Sequence, residues 1–202
     1  MSALATKWGR LQLKALLYRN TPGEYGIILR SGKLRKYFAS IGKDLRIYEG
    51  FKFRNLHRVC IGDDVVIGID NFFQAGGGIE IGSNTILSPG VKIWTQNQIL
   101  SNMKLTYREQ GLEYLKVTIG ESVWVGPSVF IMPGANIGDC CVITAGSVVD
   151  KGEYPSQSII SGNPAKIIGN RSNIAMDKNH LTIPGIEFDV PACNLTLTNI
   201  HK

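Results

Sequence analysis

Aliphatic residues recur every six positions in the second half of the chain. They are Ile119, Val125, Ile131, Ile137, Ile143 and Val149. Small or medium-sized residues follow four positions later, namely Val123, Val129, Ala135, Cys141 and Ser147. An α-helix, with its period of 3.6 residues, cannot keep a six-residue stripe on one face for this length. Short strands joined by tight turns can, so the pattern predicts a parallel β-helix.

The same six-residue step occurs earlier in the chain, in three sets separated by slips of two residues. The sets are Ile41, Ile47, Phe53 and Val59; then Ile61, Ile67, Phe73 and Ile79; then Ile81, Leu87 and Ile93. The slips predict bulged corners, with Gly76, Gly77 and Gly78 accommodating the second one. Successive coils of a solenoid stack and bury one shared core. We therefore expect a hexapeptide-repeat β-helix over residues 41–170.

Three segments lack the six-residue rhythm. Residues 97–116 form a charged excursion, which we interpret as functional because long loops in compact folds usually are functional or disordered. Residues 1–40 form an N-terminal helical lead-in. Residues 171–202 form a C-terminal tail, with edge strands expected near 181–183 and 195–197.

The pattern of residues 1–20 predicts an amphipathic helix, and two interpretations of its role stay open. One face carries Leu4, Trp8, Leu11 and Ala15, and the other carries Lys7, Arg10 and Lys14. No acidic residue precedes Glu24. The helix could cap the open end of the solenoid and cover its edge. Alternatively, it could rest on an anionic membrane surface as a peripheral contact.

Composition narrows the class of protein. The 202 residues suit a single domain with tails. No apolar run reaches the roughly 18 residues that a membrane span needs, and Lys7, Arg10 and Lys14 argue against a signal peptide. The cysteines, which are Cys60, Cys140, Cys141 and Cys193, lack metal-ligand spacing. They favour reduced thiols in a cytoplasmic protein without a metal site.

The net charge of +6 and the pI near 9.2 raise the question of a nucleic-acid partner. The repeats show no stripe of basic residues interleaved with aromatic ones, so we expect no nucleic-acid binding. A polyanionic small molecule explains the excess of positive charge better.

Four motifs resemble those of the hexapeptide-repeat acyltransferases, above all the maltose, galactoside and polysaccharide O-acetyltransferases. The motifs span 123–126 (VWVG), 131–134 (IMPG), 145–149 (AGSVV) and 162–166 (GNPAK). The resemblance implies an all-β fold, a left-handed parallel β-helix with three hexads per coil. It also implies acetyl-CoA as the donor substrate and a homotrimer. The handedness follows from the resemblance alone, since parallel connections are usually right-handed.

The resemblance also implies a catalytic position at Gln98. Acyl transfer to a hydroxyl requires a base that accepts its proton, and in the family a His ends a stretch similar to 93–98 (IWTQNQ). Gln98 occupies that position, and a glutamine side chain can orient a hydroxyl or donate a hydrogen bond but cannot act as a base. The other histidines, which are His57, His180 and His201, match no family motif. Three accounts stay open: another group activates the acceptor, the chain binds CoA without turnover, or the residue was substituted by engineering.

The donor and acceptor sites follow from the same resemblance. The positions implied for CoA are Trp124, Gly126, Ala145, Gly146, Lys151 and Lys166. Among them, Trp124 could instead be an outward aromatic residue that covers a trimer seam, and the lysines could simply be solvated. The positions implied for the acceptor are Asn71 and Asn97.

The sequence therefore predicts an acyl-CoA-dependent O-acetyltransferase acting on a hydroxyl of a sugar, a polysaccharide or a lipid-linked glycan. One alternative is a non-catalytic relative that binds CoA or a sugar. Another is the sugar-nucleotide N-acetyltransferase branch, for whose N-terminal nucleotide-binding domain residues 1–40 are too short. The expected location is the cytoplasm, with the inner face of the membrane open for residues 1–20.

Overall fold

The computed structural model describes residues 7–173, 176–177 and 180–181. Residues 1–171 and 172–202 form two separate compact units. Three α-helices are present in the described residues: α1 (Lys7–Arg19), α2 (Gly23–Leu34) and α3 (Tyr107–Gln110). Short 3-10 turns cover Arg35–Tyr37, Leu56–Arg58 and Arg171–Asn173.

Short strands make up most of the described chain. In order they are β1 (Ser40–Ile41), β2 (Arg46–Ile47), β3 (Lys52–Arg54), β4 (Val59–Ile61), β5 (Val66–Ile67), β6 (Phe72–Gln74), β7 (Ile79–Ile81), β8 (Ile86–Leu87), β9 (Lys92–Trp94), β10 (Gln96–Gln98), β11 (Leu112–Tyr114), β12 (Val117–Ile119), β13 (Trp124–Val125), β14 (Phe130–Ile131), β15 (Ala135–Ile137), β16 (Val142–Ile143), β17 (Val148–Val149), β18 (Gly152–Tyr154), β19 (Ser158–Gly162), β20 (Ala165–Asn170), β21 (Met176–Asp177) and β22 (His180–Leu181).

Three parallel sheets form the faces of a left-handed β-helix. Face A contains β1, β4, β7, β12, β15 and β18; face B contains β2, β5, β8, β13, β16 and β19; face C contains β3, β6, β9, β14 and β17. Each coil contributes one strand to each face in turn. We name the corners between consecutive faces AB, BC and CA. This architecture confirms the predicted all-β fold and the prediction of a left-handed parallel β-helix.

The six-residue step places one aliphatic or aromatic side chain of each strand inside the prism. On face A the aligned residues are Ile41, Ile61, Ile81, Ile119, Ile137 and Tyr154. On face B they are Ile47, Ile67, Leu87, Val125, Ile143 and Ile160. Because successive side chains on a strand point to opposite sides, the neighbours of these residues face outward. Stacking in register thus builds one continuous core.

The two-residue slips fall at corner CA. The first corresponds to the 3-10 turn Leu56–Arg58 and the second to Gly76, Gly77 and Gly78. A Cβ at Gly77 would lie 2.7 Å from the carbonyl oxygens of both Thr95 and Leu115. Glycine therefore permits the close approach of neighbouring chain segments at this corner.

The N-terminal helices cover the first coil. Leu11 and Ala15 of α1 are buried against the core. Arg30 of α2 is 1% exposed and donates from Nε to Ile47 O at 2.8 Å. Its Nη1 donates to Thr21 O at 2.6 Å, which joins the end of α1 to the first coil. The predicted capping role of this segment agrees with these contacts, while the side chains of Leu4 and Trp8 lie outside the described residues. None of the described helices has the length and apolar character needed to cross a bilayer.

The excursion is an antiparallel hairpin that leaves the prism at corner CA. Strands β10 and β11 pair, with Asn97 opposite Glu113 and Gln98 opposite Leu112. Strands β19 and β20 form a second antiparallel hairpin that ends face B. In the second unit, β21 pairs with β22. The strand predicted at 195–197 lies outside the described residues.

Candidate functional site

Gln98 is the last residue of β10, at the end of the paired strands where the loop of the excursion hairpin begins. With its amide oriented so that the nitrogen faces the two nearby carbonyls, Gln98 donates to Gly111 O at 3.0 Å and to Tyr107 O at 3.3 Å. Its side chain is exposed. The amide group therefore ties the far end of the loop to β10 while remaining in contact with solvent.

Two open grooves meet at Gln98. One, of about 640 Å³, is lined by Asn97, Gln98, Ile99, Leu100, Ser101 and Glu113. The other, of about 390 Å³, is lined by Gln98, Tyr107, Arg108, Gly111, Leu112 and Tyr114. Gln98 lines both grooves, so a ligand entering either one meets its side chain. Asn97 lines only the larger of the two.

The excursion loop is held in shape by local hydrogen bonds. The backbone N and the Oγ1 of Thr106 both donate to Glu109 Oε2, at 2.9 Å and 2.8 Å, at the start of α3. Hydrogen bonding from the Thr106 backbone and hydroxyl lowers the pKa of Glu109. Glu109 is therefore committed to capping α3 as a carboxylate.

The base of the excursion is anchored on corner CA through Thr95. This threonine is fully buried, its Oγ1 donates to Gln74 O at 2.6 Å, and it accepts from Gly77 N at 2.8 Å. Leu115 N donates to Thr95 O at 3.0 Å, where the chain returns to the prism. The Tyr114 ring packs on Gly76, where an added Cβ would lie 2.6 Å from the ring. These contacts attach the base of the excursion to the solenoid.

Trp124 lies on the outer side of face B. Its indole Nε1 donates to Ser88 Oγ at 3.1 Å, and its side chain is 46% exposed. In the parallel register, Ile86 and Val142 flank it on neighbouring strands. The ring therefore has a fixed orientation beside corner BC and one open side.

The two small residues at the tip of corner BC leave its backbone accessible. Ala145 and Gly146 are both exposed. Gly146 has a φ of +70°, and an added Cβ would meet no atom within 4 Å. Asp70 and Ser128 adopt the same left-handed conformation at equivalent corners, so the turn alone does not require glycine. The absence of a side chain at 146 leaves open space instead.

Gly126 has a structural explanation. It is buried, and a Cβ there would lie 2.7 Å from Ala145 N and 2.7 Å from Ile143 O. The stacking of successive coils therefore favours glycine at this position. Any contact with a ligand would have to pass through the neighbouring corner at Ala145.

A hydroxyl network beneath the tip was not identified from the sequence. Thr144 Oγ1 lies 3.0 Å from Ser147 Oγ and donates to Ser161 Oγ at 2.7 Å. Ser147 Oγ also accepts from Gly162 N at 3.2 Å. The network ties the terminal hairpin to corner BC. Spacing alone could not reveal it, because Ser161 lies in β19, beyond Val149 where the strict six-residue step ends.

The two lysines expected near CoA lie at different corners. Lys166 is exposed on β20, in the hairpin that ends face B. Lys151 lies at corner CA, where its aliphatic stem packs near Gly134 and Leu115 beside the base of the excursion. Within one chain, Lys151 therefore groups with the Gln98 side, and Lys166 groups with Trp124 and Ala145.

Asn71, which the resemblance placed at the acceptor site, lies in the core instead. Its side chain is fully buried at corner BC, and Nδ2 donates to Gly68 O at 2.8 Å and to Ser88 O at 3.0 Å. These bonds use the amide nitrogen to join two successive coils. The position points into the core because it follows the inward-facing register of Phe51 and Val91. Asn71 therefore supports the solenoid, and its complete burial argues against the acceptor-binding role implied by the resemblance.

The polar side chains that line the two grooves include one carboxylate. Glu113 is exposed across from Asn97 and lines the larger groove. Gln98 offers an amide donor and acceptor but no proton acceptor of useful basicity. Among the described residues, no group of three or more His, Cys, Asp and Glu side chains could hold a metal ion. The arrangement suits binding and orientation of polar ligands.

Comparison with known proteins begins with a family model. The model described as bacterial transferase hexapeptide (six repeats) matches residues 116–151. The Escherichia coli (strain K12) protein WcaF, provisionally named a colanic acid biosynthesis acetyltransferase, is 30% identical over 142 residues, covering 70% of this chain and 75% of WcaF. A provisionally named acetyltransferase of Saccharomyces cerevisiae is 41% identical over 115 residues, but that match spans only 56% of the yeast protein and 53% of this chain.

Two solved structures share the fold over most of their length. A maltose O-acetyltransferase from Clostridium difficile 630 has a TM-score of 0.73 and 32% identity, covering 84% of this chain and 89% of that one. A hexapeptide-repeat acetyltransferase from Vibrio cholerae O1 biovar eltor, complexed with acetyl-CoA, has a TM-score of 0.72 and 25% identity, covering 83% of this chain and 87% of that one.

Proposed function

Because this chain belongs to the hexapeptide-repeat acetyltransferase family, we propose that it transfers the acetyl group of acetyl-CoA to a hydroxyl of a sugar, a polysaccharide or a lipid-linked glycan. The observation that carries the proposal is the position of Gln98, which closes the excursion loop and lines two grooves. The relatives named for maltose and colanic acid support a carbohydrate acceptor.

The donor site lies along corner BC. Ala145 and Gly146 present backbone with little or no side chain, which suits the approach of a narrow pantetheine arm. Trp124 bounds this surface on face B, and the exposed Lys166 supplies positive charge toward the phosphates of CoA. An exposed lysine near a phosphate contributes a modest attraction that is screened by salt.

A complete site needs two copies of the chain. Gln98 and Lys151 lie on the side of corner CA, whereas Trp124, Ala145 and Lys166 lie at corner BC and face B. From Gly146 to Lys151 the chain crosses all of face C, roughly 16 Å at ~3.3 Å per strand residue. A second copy that brings its corner CA next to corner BC of the first joins both halves. A closed three-fold ring satisfies this requirement for every copy at once.

Exposed apolar residues at both halves support this assembly. The excursion exposes Leu100, Met103, Leu105, Tyr107 and Tyr114, while face B and the adjoining β20 expose Ile86, Trp124, Ile167 and Ile168. Clusters of exposed apolar residues often mark interaction sites. We assign it to contacts between copies in a homotrimer.

Gln98 positions the acceptor in the chemical step. Its carbonyl oxygen can accept from the acceptor hydroxyl while its nitrogen remains tied to Gly111 O. The hydroxyl proton then lacks a strong base, so the transfer is slow. General-base catalysis typically contributes ~10²–10⁴-fold, which sets the size of the deficit.

The absence of a basic side chain at position 98 also supports a second candidate function. The chain could bind CoA or a sugar without turnover, since Gln98 supplies no proton acceptor while the surface proposed for CoA beside Trp124 stays open. Asn97 remains the candidate for acceptor contact in both cases, because it is exposed and lines the larger groove. Either function places the protein in the cytoplasm, where acetyl-CoA is available.

The two functions are separated by a transfer assay. The full chain is incubated with acetyl-CoA and a panel of maltose, galactosides and lipid-linked glycans, and thiol release and acetylated sugar are both measured. Slow, sugar-dependent thiol release with a matching O-acetylated product supports the transferase. Calorimetric CoA binding with no sugar-dependent release across the panel would establish the non-catalytic function instead.

A further inference from the structure

Positive charge is concentrated at the N-terminus. Residues 1–36 contain eight Lys or Arg and a single acidic residue, Glu24. The remaining 166 residues contain 14 Lys or Arg and 15 Asp or Glu. The net charge of the whole chain therefore arises from the segment that contains α1 and α2.

The outward face of α1 is apolar. Leu11 and Ala15 point into the core, at 2% and 6% exposure. Leu13, Leu16 and Leu17 are 53%, 50% and 84% exposed. At 100° per residue these three lie within one sector opposite the buried face. A helix that buries two residues and exposes three leucines has a second apolar face with no partner among the residues that the structure describes.

Helix α2 repeats this arrangement. Tyr25 and Ile28, one helical turn apart, are each 68% exposed, while Ile27 and Arg30 on the other side are buried. Lys14 on α1 and Lys33 on α2 are exposed as well. We call Leu13, Leu16, Leu17, Tyr25 and Ile28, together with Lys14 and Lys33, the N-terminal surface.

We propose that the N-terminal surface docks on an anionic lipid bilayer. Side chains that protrude from helices lying on the end of the prism can insert into the headgroup region. Flanking lysines add attraction to anionic lipid that decays within a Debye length. A nucleic acid would use the charge but not the leucines, and an acidic protein would need a complementary apolar face. A bilayer provides both the negative charge and the apolar environment.

This inference is independent of the transferase proposal, since it involves no residue of either groove. It implies a peripheral attachment, because no described helix is able to span a membrane. If the acceptor is a lipid-linked glycan, attachment would raise its local concentration at the prism. The docking itself is tested without any acceptor.

The test is vesicle co-sedimentation of the full chain. Vesicles of phosphatidylcholine and phosphatidylglycerol in equal amounts are compared with vesicles of phosphatidylcholine alone, at low and high salt. The expected result is binding to the anionic vesicles that weakens with salt. Leu13→Gln/Leu17→Gln should weaken it about tenfold, since apolar burial is lost. Lys14→Gln/Lys33→Gln should weaken it about fivefold for each charge removed.

Matched controls lie elsewhere on the protein. Ile69→Gln removes an exposed apolar residue from the second coil, and Lys92→Gln removes an exposed charge from face C. Both should bind vesicles like the parent protein, and circular dichroism should show every variant folded. The proposal is overturned if the parent fails to bind anionic vesicles. It is equally overturned if the leucine variants bind as tightly as the parent, since the charge alone would then account for the binding.

Discussion

With its side-chain amide oriented so that the nitrogen faces the loop, Gln98 donates to the carbonyl oxygen of Gly111 at 3.0 Å. Gln98 therefore has a structural role, because it closes the excursion loop. This role is separate from any role in proton transfer. A neutral imidazole could donate the same hydrogen bond through one ring N–H and keep the other nitrogen unprotonated. The loop geometry of this chain is therefore compatible with histidine at position 98.

We predict that the protein is a trimer in solution. A monomer would leave the apolar residues of the excursion and face B in water and would divide the donor and Gln98 halves. Sedimentation equilibrium at micromolar concentration should give three times the chain mass. The double substitution Met103→Glu/Tyr107→Glu, at 94% and 68% exposed positions, should weaken association. A stable monomer of the parent protein would exclude the assembly.

We predict that Ala145→Leu blocks CoA binding. The added side chain would fill the open tip of corner BC, where the pantetheine arm is proposed to pass. Lys166→Gln should weaken binding modestly, and the effect should disappear at high salt. Ala39→Leu, at an exposed position before β1, is the matched control. Calorimetry that finds equal CoA affinity in Ala145→Leu and in the parent would refute this placement.

We predict that Asn71→Ala lowers stability without changing ligand affinity. Removal of the buried amide leaves Gly68 O and Ser88 O without their donor, at a cost of about 1–3 kcal/mol in the free energy of unfolding. CoA affinity and acceptor KM of the folded variant should match the parent. A selective rise in acceptor KM with unchanged stability would restore the acceptor-binding role for Asn71.

We predict that Arg30→Met destabilises the N-terminal cap. The guanidinium lies 3.7 Å from Glu49 and donates to carbonyls of the first coil and of the α1–α2 connection. Its loss leaves buried acceptors unpaired and should cost about 3 kcal/mol. Denaturant unfolding of Arg30→Met and of the exposed control Lys33→Met measures the difference. Equal stabilities would show that α2 is held by apolar packing alone.

The solenoid could be predicted from sequence because its signal is repeated. Ile119, Val125 and Ile131 occupy the same inward position on successive faces. Because the pattern repeats in every coil, one atypical residue does not hide it. The two-residue slips could also be predicted as bulged corners, since both occur at corner CA. Handedness does not follow from periodicity and came from the resemblance.

The site was harder to predict because its residues lie where the repeat pattern says least. The six-residue step itself predicts an inward position for Asn71, four residues after Ile67, and it separates Lys151 from Ala145 by one hexad. The roles expected for Asn71 and Lys151 came instead from the family resemblance, which compares residue types and does not show which way a side chain points. The tie between Gln98 and Gly111 connects two ends of an irregular loop, for which no periodicity exists.

We propose that this chain retains the family site and lacks only the proton acceptor. Comparing Gln98→His with the parent tests it, with Gln98→Ala as the control for loss of the loop tie and Glu113→Gln as the control for the remaining carboxylate. CoA affinity and the trimer should be unchanged in Gln98→His.

The most direct measurement is kcat for acetyl transfer by Gln98→His and by the parent protein across pH. We predict a gain of ~10²–10⁴-fold in the histidine variant. Turnover should rise with pH as the imidazole loses its proton, with a midpoint of roughly 6.5. A histidine variant that binds CoA, stays trimeric and shows no gain on any accepted sugar would contradict the account. Fast transfer by the parent that Glu113→Gln abolishes would contradict it too, since the carboxylate would then be the base.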